Sequence, residues 1–312
     1  MGTKTWDGGA TGDWNVSSNW SPVGVPVTGD DVVINTVGCT VTLDVHIGGG
    51  QTNTGLGSLT ITAGTLYTND GSNRMLTVTG NTVVDGTLTG NNSTFFFGTD
   101  GVHGSTEGGC LLVNSSGTFT FGSGDVTIFS GFTAKGTEGS PNVTSTGGGD
   151  ILIKGRTNNG FMNSHSHQGT NITGDYIIDY DNNSIFDNRG GTTIACGTFI
   201  IKHDGRTYEP WNNSAQATFK IIGNMEISGG TFDTEYSGQD SQHLTVTGAT
   251  TIGDGSASAD TSTLTCNAST ISLGSGVTGT HSLVVDVGGT FVGGSGTHTL
   301  GSLNIKNSTA AK

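Results

Sequence analysis

Short alternating runs fill this chain from end to end. Segments such as VTLDV from Val41, LTIT from Leu59, MLTVTG from Met75, TFTFG from Thr118 and SLVVDV from Ser282 put β-branched or aromatic residues among Thr and Ser with a period of two. Gly, Asn, Asp or Ser bounds nearly every run. Such alternation is the mark of strands buried on one face. Nowhere does a window of helix length carry a 3.6-residue period. The chain must therefore be all-β, with many short strands and many tight turns.

Composition removes the competing classes. Glycine contributes 55 of the 312 residues and proline only 4. Glycine has no period of three, so a collagen helix is excluded. Charged residues are only 12% of the chain, too few for a coiled coil or a charge-rich disordered segment. No apolar run is long enough to cross a bilayer as a helix. The formal charge of −14 comes with no cluster of bases, which excludes phosphate neutralisation as a route to nucleic-acid binding. Neither membrane insertion nor a nucleic-acid partner is expected.

Two all-β architectures compete, stacked sandwiches and a solenoid. The strands keep one style throughout, and LTVTG at Leu76 recurs at Leu244 with similar text after it. That uniformity favours a single-stranded parallel β-helix (β-solenoid), with right-handed coils of roughly 20–25 residues. Gly, Asn and Asp would take its corners, where left-handed backbone is needed. Val, Ile, Leu and Phe would fill its interior. Cys39, Cys110, Cys196 and Cys266 are far apart and lie in or beside strands, so four buried free thiols are expected rather than a zinc site. The opening MGTKTWDGG has no apolar core of a signal peptide, which fits folding in a reducing cytoplasm.

The first residues differ from the rest. Trp6, Trp14 and Trp20 stand among turn residues in WDGG, GDWN and NW. Residues 1–38 are expected to form a Trp-rich cap and attachment region, because an open solenoid end must be covered. Residues 39–312 would form the solenoid, with an irregular loop-bearing section at about 157–242.

PVTGDDVVINTVGCTVTLDV followed by LGSLTITAGTLYT resembles the opening of a G8 domain, a glycine-rich β-module found in cell-surface and extracellular proteins. The upstream tryptophan pattern is similar to the start of bacterial and phage surface β-solenoids. The resemblance covers about residues 1–68. It implies a parallel β-helix and carries no catalytic residues with it.

Chemistry-bearing residues gather between Asp175 and Asp240. The stretch HDGRTYEPWNNS holds His203, Asp204, Arg206, Tyr208, Glu209 and Trp211, and FDTEYSGQD holds Asp233, Glu235, Tyr236 and Asp240. Stacked coils would bring these loops together. Tyr208, Trp211 and Tyr236, with Arg206, suit glycan binding, because aromatic rings stack on sugar faces. Asp204, Glu209, Asp233 and Glu235 are the weak catalytic candidates, as paired carboxylates can serve glycoside hydrolysis. Asp179, Asp181 and Asn183 alternate oxygen ligands as in a calcium loop, with Asp187 as a further ligand. Ordinary turn chemistry explains the same residues. His165 and His167 read as an exposed polar loop rather than a metal pair. No cofactor other than calcium is expected.

The function expected is structural and non-enzymatic. It is that of a β-helical protein of a tailed-phage virion (head decoration, head fibre, or tail fibre or spike component), assembled in the host cytoplasm. Its partners would be other virion proteins, two further copies in a homotrimer, and a host-surface polysaccharide. Two alternatives stay open: a β-helical polysaccharide hydrolase or lyase, and an adhesin module that is extracellular or on the cell surface.

Overall fold

The computed structural model describes residues 1–49, 54–68, 71–98, 111–129, 131–155, 169–180, 184–187, 191–203, 205–211, 216–235, 241–256, 261–274 and 282–306. The chain is a parallel β-solenoid with a Trp-rich N-terminus, as the alternation requires. Its only described helical piece is a 3-10 turn at Ser17–Asn19. The fold divides into two compact units, one of Met1–Gly155 with Gly169–Gly174, the other of Arg156–Gln168 with Asp175–Lys312.

Each unit stacks its strands in three ladders. In the first unit, one ladder runs through Thr3–Trp6, Asp31–Ile34, Ser58–Ile61, Thr82–Val84, Leu111–Val113 and Phe132–Ala134. A second runs through Thr11–Asp13, Thr40–Thr42, Thr65–Tyr67, Thr87–Thr89, Thr118–Phe121, Val143–Ser145 and Thr170–Asn171. The third takes Met75–Val78, Thr94–Phe97, Val126–Phe129 and Ile151–Gly155. All of these pairings are parallel and in register. Trp20–Ser21 pairs antiparallel with Thr3–Trp6.

In the second unit, one ladder holds Ser184–Asp187, Thr207–Trp211, Gly230–Asp233, Ser262–Thr265 and Gly289–Val292. The ten-residue strands Thr192–Ile201 and Thr218–Ile227 each serve two ladders. Their first halves continue into His243–Val246, Ile271–Leu273 and His298–Leu300. Their second halves continue into Thr250–Ile252, Leu283–Val285 and Leu303–Ile305.

The coils are less even than the expected 20–25 residues. Bonds between neighbouring coils join residues as close in sequence as Arg74 and Ser93, 19 apart, and as distant as Thr234 and Ser269, 35 apart. Register is held by the strands, so corner loops can vary in length without disturbing the stack.

The interior is rich in aromatic residues. Phe95, Phe97, Phe119 and Phe121 pack together in the first unit, with ring centroids 5.1–6.0 Å apart. Tyr176, Phe199, Phe219 and Phe232 form the matching column of the second. Leu76 and Leu244, the paired residues of the recurring LTVTG, are both fully buried. Cys39, Cys196 and Cys266 are buried free thiols, and Cys110 lies outside the described residues.

The close approach of neighbouring coils explains much of the glycine content. A Cβ on Gly223, whose φ is +142°, would stand 2.0 Å from the Cys196 carbonyl oxygen of the coil beneath. Only a residue without a side chain fits such a corner.

Trp6, Trp14 and Trp20 are all buried, at 2%, 0% and 1% exposure. Trp20 meets Trp6 and Trp14 edge to face, with centroids 5.2 and 4.7 Å away. The Trp20 indole donates to the Trp14 carbonyl oxygen at 2.8 Å, and the Trp6 indole to that of Gly9 at 3.1 Å. Large exposed hydrophobics lie near the two chain ends. Met1, Val16, Val23, Val27 and Val37 lie in residues 1–38, and Val292, Leu303 and Ile305 lie in the last strands. Between Val37 and Val292 there is none among the described residues.

Candidate functional site

The strand Thr207–Trp211 lies parallel to Gly230–Asp233, with Thr207 opposite Thr231 and Tyr208 opposite Phe232. The next step of this register sets Glu209 beside Asp233. Asp233 in turn lies opposite Thr265 of the following coil. Alternation turns Glu209 and Asp233 to the outer face, where both are half-buried, and turns Tyr208 and Phe232 into the core. Adjacent strands lie about 4.8 Å apart, so two carboxylates share one patch of surface.

Burial pushes the Glu209 carboxyl up to about 7, and the neighbouring Asp233 charge adds to the rise. At neutral pH Glu209 is thus partly protonated and can donate a proton. Burial also raises Asp233, and the Glu235 charge adds to it, while two hydrogen bonds oppose the rise. One comes from the Glu235 backbone N–H at 3.0 Å, the other from the Asn267 side-chain amide. Asn267 is the one described non-glycine residue with positive φ, at 47°. Asn tolerates that left-handed conformation better than most residues.

A second set of bonds braces the corner. Ser241 Oγ donates to Glu235 Oε2 at 2.9 Å and accepts from the Ala268 N–H at 3.2 Å. The buried hydroxyls of Ser269 and Thr234 are 2.7 Å apart. Asp233 also helps raise the buried Cys266 thiol to about 12, although desolvation is the larger cause. That thiol stays protonated and unreactive.

The other sequence candidates separate. Tyr208 is fully buried, which corrects its reading as a sugar-stacking residue. Its place in the alternation puts it in register with Phe232 and, beyond it, Leu264 of the inward row. Arg206 is half-buried, and its Nε is enclosed without a hydrogen-bond partner. Asp204, Tyr236 and Asp240 lie outside the described residues, as does the side chain of Trp211. Of the calcium candidates, Asp179 sits 3.3 Å from His203 Nδ1. Asp181 and Asn183, the side chain of Asp187, and the His165 and His167 pair are outside the description. Among the described residues no three His, Cys, Asp or Glu side chains gather as a metal site.

Sequence reasoning found the carboxylates but missed what orients them. Asn267 lies 34 residues from Asp233, and only the stacking brings them together. The turn signal around CNAS was its sole trace.

The stacked parallel ladders define this chain as a β-solenoid with a Trp-rich N-terminus. No family model, no curated protein and no solved structure matches it.

Proposed function

We propose that this chain is a structural, non-enzymatic β-solenoid of a tailed-phage virion. In that role it is a stiff element docked through its N-terminal region to other virion proteins, presenting loops toward a host-surface polysaccharide. The observation that carries the reading is the layout of residues 1–38. Three tryptophans are packed inside, while Val16, Val23, Val27 and Val37 stay 41–88% exposed. A docking surface needs exposed apolar side chains, and this short stretch supplies four of them. Docking would therefore run through these valines and not through the indoles. The buried free thiols agree with this reading. Mass spectrometry of purified particles tests it: the chain should be present in stoichiometric amount, and its absence would remove the proposal.

The Glu209–Asp233 pair favours a second reading as a polysaccharide hydrolase. Glu209 has the protonation of a general acid, and Asp233 is held in place by Asn267. Release of reducing ends from capsular polysaccharide, lost in both Glu209→Gln and Asp233→Asn, would establish it. Release that persists in both variants would discard it.

A further inference from the structure

One face of the first unit carries a lattice of hydroxyls that neither reading uses. The ladder from Thr11–Asp13 to Thr170–Asn171 shows two outward positions per coil, separated by one inward residue. The first row stacks Thr11, Thr40, Thr65, Thr87 and Thr118 in unbroken register over five coils. The second stacks Asp13, Thr42, Tyr67, Thr89, Thr120 and Thr144. Between them Val41, Leu66, Leu88 and Phe119 are fully buried, which fixes the direction of the flanking side chains. Thr40, Thr42, Thr65, Thr87, Thr89, Thr118, Thr120 and Thr144 are all half-buried.

Its two repeats are set by the backbone. Rows along the stack repeat every ~4.8 Å, and the two Thr of one strand stand about 6.6–6.8 Å apart. Side-chain ladders of this kind also hold stacked strands flat, suppressing the usual twist. A face of hydroxyls and methyl groups in register, with Asp13 as its one charge, has little to offer an ionic ligand. What it does match is a two-dimensional crystal of water. Both spacings lie within an ångström of the oxygen repeats on a prism face of hexagonal ice. Hydroxyls on a matching grid can each donate to and accept from lattice waters in place.

We infer that this Thr face binds ice, with Thr40, Thr42, Thr65, Thr87, Thr89, Thr118 and Thr120 as the contact grid. Tyr67 is the flaw in the grid, a large ring in the second row whose hydroxyl lies 3.4 Å from Asn91 Nδ2.

The test is freezing behaviour of the full chain in dilute buffer. The protein should hold its freezing point below its melting point, suppress recrystallisation of fine ice and partition into a growing ice hemisphere. Thr87→Lys with Thr118→Lys should return all three readouts to the buffer value while the thermal melting curve stays unchanged. Tyr67→Thr should enlarge the freezing gap. Overturning results are a wild type excluded from ice, or lysine variants as active as wild type. Light scattering that shows copies joined through this face, separated by the same lysines, would also overturn the inference, as would retention on crystalline cellulose or chitin without ice affinity.

Discussion

Glu209 and Asp233 are ordinary solvated acids in sequence and an unusual pair once the coils stack. The sign of their effect on stability follows from the direction of the shift. Glu209 rises from 4.5 unfolded to about 7 folded, so the folded state holds the proton more tightly. Its contribution is therefore fully present below about pH 4.5 and is lost as pH rises toward 7. Glu209→Gln should equal wild type near pH 4 and exceed it by about 1–2 kcal/mol at pH 8, after discounting for solvent screening. Urea titrations at the two pH values measure this, and equal differences at both would refute it. Asn267 should show a different signature. Asn267→Ala loses the bond to Asp233 and meets strain at positive φ, for a loss of roughly 1–2 kcal/mol, whereas Asn267→Gly relieves the backbone part. A thermal melt of the two variants separates backbone strain from the hydrogen bond.

At the scale of elements, the strands were legible because period two is a local property. LTI, TFTF and LVV became strands where they stood, and the VTLDV run did so only at its start, within Thr40–Thr42. Which face each side chain occupied was also legible, since alternation alone sends Leu76, Phe119 and Leu283 inward. Tyr208 obeys the same rule, and the expectation of an exposed ring set its loop-like neighbours above its parity with Phe232. Corner geometry was less legible. Gly223 owes its identity to the Cys196 carbonyl 2.0 Å from where a Cβ would sit, an approach made across coils. Gly223→Val should cost at least about 2 kcal/mol, from the clash together with positive φ. A fall in melting temperature of several degrees would register it; a variant as stable as wild type would mean that the corner can move.

For the molecule as a whole, the buried tryptophans of the N-terminus are expected to hold the first coils closed. Trp14→Ala removes a fully buried indole and should cost about 3–5 kcal/mol. Hydrogen exchange should show the loss first in the strands Thr11–Asp13 and Thr40–Thr42, against which the cap is built. Uniform loss along the chain would mean that the cap is not a separate closure. The proposed homotrimer is tested by light scattering against the 31.7 kDa chain mass. A species of three chains would support lateral association, and a monomer would confine any symmetry to the particle that displays it.

The sequence by itself determined the fold class, most strand positions and inward residues outside Thr207–Trp211, and the Trp-rich N-terminus. Each of these follows from local periodicity, turn chemistry or the placement of a few large apolar side chains, and none needs knowledge of which coil lies above which. Tertiary structure alone decided what depends on stacking register: the approach of Glu209 to Asp233, the Asn267 bond that orients it, the unequal coil lengths and the alignment of the Thr rows. Register is set by cross-coil hydrogen bonds between residues 19–35 positions apart. Corner loops of variable length hide that spacing from any reading made along the chain.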